Sequence, residues 1–549
     1  MINGQAEISE AALAAMLAKV SRDQDTTEDD GPELVAAVPS SRPAEQQAGE
    51  GQPAKKKSKP RSTPQGAVAV SDSFFVERVV DERLGAEFCW SPQFGWMHWN
   101  GKVWEQIDDT VVRDEVRQYV AEWVAGQVTR PTAGVGMEDL IKLLSKGRIS
   151  AVTDLARGII GVTGNQFDLD PDVITVNNGV IDFATGALMP HDRDRYLTRL
   201  IPVDYIPDAQ HPDIDTMLSA MEPEVAGWMQ IRLGQGITGH VPDDDVMLLL
   251  HGDGQNGKSA LIDCLTGTLG GSTDCGALTF VNDQVLTGDR DAKEERMALR
   301  GARLAVAEEL PEGRRLNVVQ LKKAVGTAIM KARHLYQREV TWTTSHTLMI
   351  TTNYLPVVNE TDHGTWRRLA LVPFPYTFVK EPTNPTHRKA VAGIKERLMY
   401  GKAQHQAMLA WLVAGARQWY EAEQKAPDHV PAVVHATRQW RAESDVVLRY
   451  WNERLVPDVE AHVISTDLVE DFTGFLKELN QPVWSSKTIL DRFGSHEETK
   501  LHRVTKSQIQ GREGLSRPSR QGDSWSTARP AAPQRYMAWL GVKFSSANG

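Results

Sequence analysis

The octapeptide Gly252-Asp253-Gly254-Gln255-Asn256-Gly257-Lys258-Ser259 fits the pattern G-x-x-x-x-G-K-S/T. Its surroundings constrain the fold more than any other stretch. Before it, Val246-Met247-Leu248-Leu249-Leu250 is a continuous apolar run, as in a parallel strand buried on both faces. After it, Ser259–Leu269 reads as a helix. The pattern alone arises by chance, but strand, glycine loop and helix in succession is the context its chemistry needs. There the backbone N–H groups wrap phosphates and the helix N-terminus adds a favourable dipole. Lys258 is expected to reach the β- and γ-phosphates and Ser259 to ligate Mg2+. The eight residues together form the expected ATP site.

An NTPase also needs an acid near the metal and the attacking water. Arg303-Leu304-Ala305-Val306-Ala307-Glu308-Glu309 is a short apolar strand ending in two carboxylates. Carboxylates at the C-terminal end of a parallel strand face the ligand crevice. Glu308 and Glu309 point in alternate directions, so one is expected at the metal and the other at water, the order left open. A third strand, Thr347–Thr352, ends at Asn353, a candidate for holding that water or reading the γ-phosphate; the plain alternative is turn chemistry. Trp366-Arg367-Arg368 precedes another apolar run, Leu369–Phe374. Such a pair is ordinarily surface, but beside a nucleotide site Arg367 or Arg368 suggests an arginine finger supplied across a subunit interface.

Residues 1–73 contain no aromatic side chain, and 23–67 are rich in Pro, Ser, Gln, Glu and Lys. This stretch cannot bury enough apolar surface to fold. It holds one possible helix, Ser9–Val20, and a basic run from Lys55 to Arg61, read as a solvated tether or a nonspecific contact. Aromatic residues then become frequent. Gly95–Trp104 reads as two strands joined at Asn100-Gly101, Asp109–Ala125 as a helix, and Val173–Leu188 as strand-turn-strand. Residues 212–385 alternate short apolar runs with helices, and 386–440 look helical. The last 50 residues hold nine Lys and Arg against two acids, in a chain whose net charge is −11. Charge is therefore sorted along the chain, and the acidic total does not exclude DNA. No run of about 18 apolar residues occurs and the first ten residues lack an export signal, so neither membrane nor secretion is expected. Three cysteines build no disulfide framework, which fits a reducing cytoplasm.

Taken together, Gly252–Ser259, the acid-ended strand, Lys322/Lys323 through Tyr336, Thr352-Asn353 and Gly364-Thr365-Trp366-Arg367-Arg368 resemble the superfamily 3 helicases. The likeness is closest to the phage/plasmid primase-helicase C-terminal family related to poxvirus primase-helicases. Upstream, Asn178-Gly179-Val180-Ile181-Asp182 and Tyr196–Tyr205 look like its helicase-associated N-terminal domain. The resemblance implies an α/β multidomain protein. An α+β accessory domain (73–211) follows the unstructured 1–72. Then come an AAA+-like P-loop ATPase core (212–385), a helical connector (386–444) and a winged-helix-like DNA-binding domain (445–549). Within the last, helices are expected at Ser465–Leu476 and Ser485–Phe493, a helix or loop around Lys506–Arg512, and a closing strand at Tyr536–Phe544. The plain alternative for that region is a packing module whose surface happens to be basic.

The resemblance also implies a ring, usually a hexamer, that moves 3′→5′ on single-stranded DNA, unwinds forked DNA, and uses ATP and Mg2+ in a phage, prophage or plasmid replicon. Lys258, Ser259, Glu308/Glu309 and Asn353 then lie on one side of each ATP, with Arg367 or Arg368 from the neighbour. Lys331, Arg333, His334 and Arg338 occupy the stretch that grips DNA in the family's pore; the alternative for Arg333 is a structural ion-pair partner. The family's Gly-Gly-Asp is replaced by Gly326-Thr327-Ala328, so no role passes to that aspartate. No primase-sized region precedes residue 73, so a helicase without priming activity is expected, with a separate primase or other replisome proteins as candidate partners. The competing reading is an ATP-regulated origin-binding initiator without processive unwinding.

Overall fold

The structure is a computed structural model describing residues 71–131, 135–163, 166–271, 273, 275–288, 294–307, 309–333, 339–358, 363–479, 481–518 and 531–545. The proposed Ser9–Val20 helix, the Lys55–Arg61 run, Glu308, His334 and Arg338 lie outside them. Two compact units form: Asn100–Trp104 joins the chain after residue 164, and the rest belongs to the other.

In the N-terminal unit, α1 (Asp72–Val79) begins where the Ser71 hydroxyl accepts the Phe74 N–H at 3.2 Å. Strands β1 (Phe88–Ser91), β2 (Gly95–Trp99) and β3 (Trp104–Ile107) form a small sheet. Helix α2 (Asp109–Thr129) outruns its expected end at Ala125, and α3 (Met137–Leu143) and α4 (Lys146–Ile159) follow. The helical spacing of Val112, Val116, Val120 and Val124 puts one stripe of α2 in a core with Phe75, Trp96 and Val152. The Asn100-Gly101 turn falls where expected: the Asn100 side chain accepts the N–H groups of Lys102 and Val103, and Gly101 has φ +89°.

The second unit starts with a four-stranded sheet, order β6-β5-β4-β7, made of β4 (Val173–Val176), β5 (Gly179–Asp182), β6 (Leu188–Met189) and β7 (Leu200–Ile201). Ile174, Ile181 and Phe183 share a core with Leu248, Leu304 and Leu412. Residues 166–211 therefore close onto the main sheet, whereas the sequence grouped them with 73–165. Alternation locates strands without saying which core they cover.

The main body comprises α5 (Pro212–Leu218), α6 (Pro223–Gly236), β8 (Met247–His251), α7 (Lys258–Leu269), β9 (Leu278–Val281), β10 (Leu304–Ala307), α8 (Val318–Val325), β11 (Ile329–Ala332), β12 (Val340–Thr343), β13 (Thr347–Thr352), β14 (Leu369–Pro373), β15 (Thr377–Val379), β16 (His387–Lys389), α9 (Ile394–Tyr400), α10 (Lys402–Glu421) and α11 (Pro431–Ser444). Five of these strands form a parallel sheet, order β14-β8-β13-β10-β9. Leu248 and Leu250 face one core while Met247 and Leu249 face another, which is why β8 reads as an unbroken apolar run. Helices α6 and α10 cross closely at two glycines: a Cβ on Gly234 would meet the Ala416 nitrogen at 2.2 Å, and one on Gly415 the Gln230 oxygen at 2.0 Å. Helix α11 covers edge strand β14, where the Thr437 hydroxyl accepts the Leu371 N–H at 2.9 Å. The uniformly helical reading of 386–440 is corrected by β16, which pairs with β15.

The chain ends in α12 (Val446–Arg454), β17 (Leu455–Ile464), α13 (Ser465–Glu478), α14 (Ser486–Ser495), α15 (Glu497–Leu501), β18 (Thr505–Gln510), β19 (Leu515–Ser516) and β20 (Arg535–Phe544). The sheet order is β18-β20-β17-β19, and Phe472, Phe475, Phe493 and Trp539 fill a core of its own. The stretch read as helix or loop around Lys506–Arg512 is strand β18, paired antiparallel with β20. Its mostly polar sequence has no apolar period to announce a strand; the partner defines it. Among the described residues no helix is long and apolar enough to cross a membrane.

Candidate functional site

The C-terminal ends of the main sheet's strands bring the polar residues together. From His251 at the end of β8 the chain enters a loop in which Gly254, Gln255 and Gly257 take φ of +96°, +49° and +90°. Gly257 is the N-cap of α7 and, lacking a side chain, offers no cap of its own, so the first-turn N–H groups after Lys258 are available to an anion. Asn256 is buried; its Oδ1 accepts the Lys258 N–H at 3.4 Å, while its Nδ2 has no partner. A buried amide donor without an acceptor, inside left-handed backbone at a helix start, fits a polyphosphate.

Lys258 is 6% exposed, and its Nζ donates to the Gly252 carbonyl and to Asn353 Oδ1 at 2.9 Å. Asn353 Nδ2 in turn donates to Glu309 Oε1 at 2.5 Å. One carboxamide thus sits between the loop cation and the acid that follows β10. Burial holds the Lys258 ammonium below the usual lysine pKa, opposed by Glu309 and Asp253. Burial, then Lys258, likewise lowers His251. Among the described residues no cluster of three His, Cys, Asp or Glu forms a ready-made metal cage. Mg2+ bound through a hydroxyl, a carboxylate and substrate phosphates needs none; Ser259 and Glu309 are the groups here that fit it.

A cleft of about 250 Å3 opens beside the loop. Its far wall is Met217 from α5, Phe378 from β15, and Val391 and Ile394 at the start of α9. The Phe378 N–H donates to the Gln255 carbonyl at 2.8 Å, strapping this wall to the loop. Asp213 ties α5 to α9 and α10, accepting from Arg397 at 2.8 Å twice and from Gln404 at 2.9 Å. Arg397, against some desolvation, holds its carboxyl down at about 2. Sequence reasoning missed this wall. Its residues come from separate segments with no shared spacing, and only the fold makes them neighbours.

Arg367 and Arg368 lie elsewhere. They precede β14, and the Arg368 carbonyl accepts the Met247 N–H at 2.8 Å, at the N-terminal end of β8. The loop leaves the other end of that five-residue strand, roughly 16 Å away at about 3.3 Å per residue. The two arginines also differ from each other. Arg368 donates to Asp245 Oδ2 at 3.0 Å and to the Gly364 carbonyl at 2.5 Å, with its side chain 14% exposed. Arg367 makes only a 3.7 Å contact with Asp245 and is 47% exposed. Lys331 and Arg333, both exposed, belong to β11 and the residue beyond it, on a two-stranded hairpin with β12. That hairpin leads into the N-terminal end of β13. In the C-terminal part, ion pairs take up some of the tail's positive charge: Arg517 with Asp467 and Lys543 with Asp458.

Comparison with known proteins agrees with the sequence resemblance. Residues 73–222 match the family described as D5 N terminal like, and residues 250–368 match a family of unknown function. The African swine fever virus (strain Badajoz 1971 Vero-adapted) protein named "Putative primase C962R" is 26% identical over 314 residues, covering 54% of this chain and 32% of its own length. The Frog virus 3 (isolate Goorha) protein named "Putative helicase 022R" is 25% identical over 383 residues, covering 56% and 39%. The chain spans about a third of the length of the curated relatives it matches. A solved structure of the NrS-1 C-terminal region, apo A form, aligns over 85% of this chain and 99% of that one, at 10% identity and a TM-score of 0.41. Over part of its length the chain is thus similar to viral proteins, one named as a primase and one as a helicase.

Proposed function

We propose that the chain is an ATP-dependent, ring-forming DNA helicase of the superfamily 3 type serving phage, prophage or plasmid replication in a bacterial cytoplasm. In this reading 212–385 is an AAA+-like ATPase core, 386–444 a connector and 445–549 a winged-helix-like DNA-binding region. The observation that carries it is the division of labour across one sheet. Lys258, Asn353 and Glu309 gather at the C-terminal ends of the strands, while the half-exposed Arg367 stands at the opposite ends, out of reach of its own loop.

The residues then act as follows. The loop N–H groups, Asn256 and Lys258 bind the β- and γ-phosphates of ATP. Mg2+ held by Ser259 and Glu309 would neutralise developing phosphate charge. A bound γ-phosphate competes with Asn353 for the Lys258 ammonium, which frees the amide to orient water beside Glu309. Arg367 of an adjacent subunit stabilises the transition-state charge, and Lys331 and Arg333 grip DNA phosphates in the ring's bore. The test is strand displacement on a forked duplex with ATP and Mg2+. Wild type should displace the strand and Lys258→Ala should not; displacement that survives the substitution excludes this function.

A further inference from the structure

Arg367 follows a single helical turn, His363–Trp366. One turn has too few hydrogen bonds to hold itself, so tertiary contacts must set where Arg367 points. Helix α11 supplies them before, at and after the turn. Ahead of the turn, Trp440 Nε1 donates to the Pro356 carbonyl at 3.1 Å. At the turn, the Trp440 and Trp366 rings meet edge to face at 5.0 Å, both buried, and the Arg441 guanidinium lies 6.0 Å from the Trp366 ring. Beyond the turn, Thr437 takes the Leu371 N–H of β14. The Arg368 side chain, held by Asp245, also bonds the Gly364 carbonyl within the turn.

The same stretch of chain is fastened at its far end. Arg441 Nη2 pairs with Glu497 of α15 at 2.7 Å. One residue past α11, Asp445 caps α12 through the Val447 and Leu448 N–H groups and contacts the His496 Nε2 at 3.1 Å. His496 in turn caps α15, its Nδ1 accepting the Glu498 N–H. A shift of the C-terminal helices therefore reaches the Trp366 turn through α11 without crossing a loop.

We infer that Trp440 and Arg441 are positioning residues for Arg367, so that the placement of the C-terminal helices sets how well a subunit serves its neighbour's ATP. The inference rests on Arg367 being the arginine finger. Aromatic pairs and cation–π contacts of this kind fix orientation more than they add stability, and misplacing a catalytic group by about 1 Å is enough to cost about a hundredfold in rate.

The experiment is a double-mutant cycle on the full-length protein, with kcat and KM for ATP measured on single-stranded DNA. Trp440→Phe keeps a ring against Trp366 and loses the bond to Pro356; Arg441→Gln removes the cation. Each should lower kcat about tenfold or more, leave KM within about twofold, and cost nothing further in an Arg367→Ala background. A full additional loss in that background, a change confined to KM, or an unchanged kcat overturns the positioning role while Arg367 keeps its own. If Arg367→Ala alone leaves kcat intact, the finger assignment falls and this inference falls with it.

Discussion

At the scale of single residues, two neighbouring arginines have separate fates because of one carboxylate. Asp245 holds Arg368 at 3.0 Å in a mostly buried site and leaves Arg367 half exposed. Arg367→Ala should therefore keep the protein's stability and ATP affinity while lowering kcat about a thousandfold, the lower end of what a finger contributes. Arg368→Ala should instead leave the part-exposed Asp245 carboxylate with only its 3.7 Å contact to Arg367 and cost about 1 kcal/mol, read as a lower urea midpoint. Adjacent positions in a Trp-Arg-Arg string look alike in sequence, which is why the choice stayed open there. Lys258 and Asn353 were legible because a glycine loop and a strand end announce them. The bridge from Asn353 to Glu309 was not, since 44 residues separate the two.

At the scale of elements, the apolar run of β8 and the periodicity of α7 were readable because each buries faces at its own period. The polar strand β18 and the wall of Met217, Phe378, Val391 and Ile394 were not, because both are defined by partners distant in the chain. That wall depends on the Asp213–Arg397 clamp. Asp213→Asn should loosen it, raising KM for ATP several-fold with little change in kcat at saturation, measurable by steady-state hydrolysis. Another buried group ties α8 to the start of β13: the His346 Nε2 meets the Ala324 carbonyl at 3.0 Å, and burial pushes its pKa down to about 4. Between the ordinary value of 6.5 and about 4 the unfolded chain takes up a proton that the folded chain refuses. Stability is therefore complete above about pH 6.5 and falls by up to about 3 kcal/mol as the pH drops towards 4. Denaturation midpoints at pH 7.5 and 5 should show about 2 kcal/mol of that loss in wild type and a smaller one in His346→Gln.

At the scale of the whole molecule, a net charge of −11 is compatible with a DNA track because charge is placed rather than averaged. Lys331 and Arg333 are exposed on the β11–β12 hairpin, while acids such as Asp467 and Asp458 already occupy two of the tail's cations. Under the proposed function, the separation of Arg367 from its own phosphate loop would leave an isolated subunit an incomplete enzyme. The most direct measurement is ATP hydrolysis by a mixture of Lys258→Ala and Arg367→Ala subunits, each inactive alone. A shared site predicts that mixing restores a substantial part of the wild-type rate, because the first variant lends its arginine to the second's intact loop. A mixture no more active than its components would contradict an ATP site built between subunits.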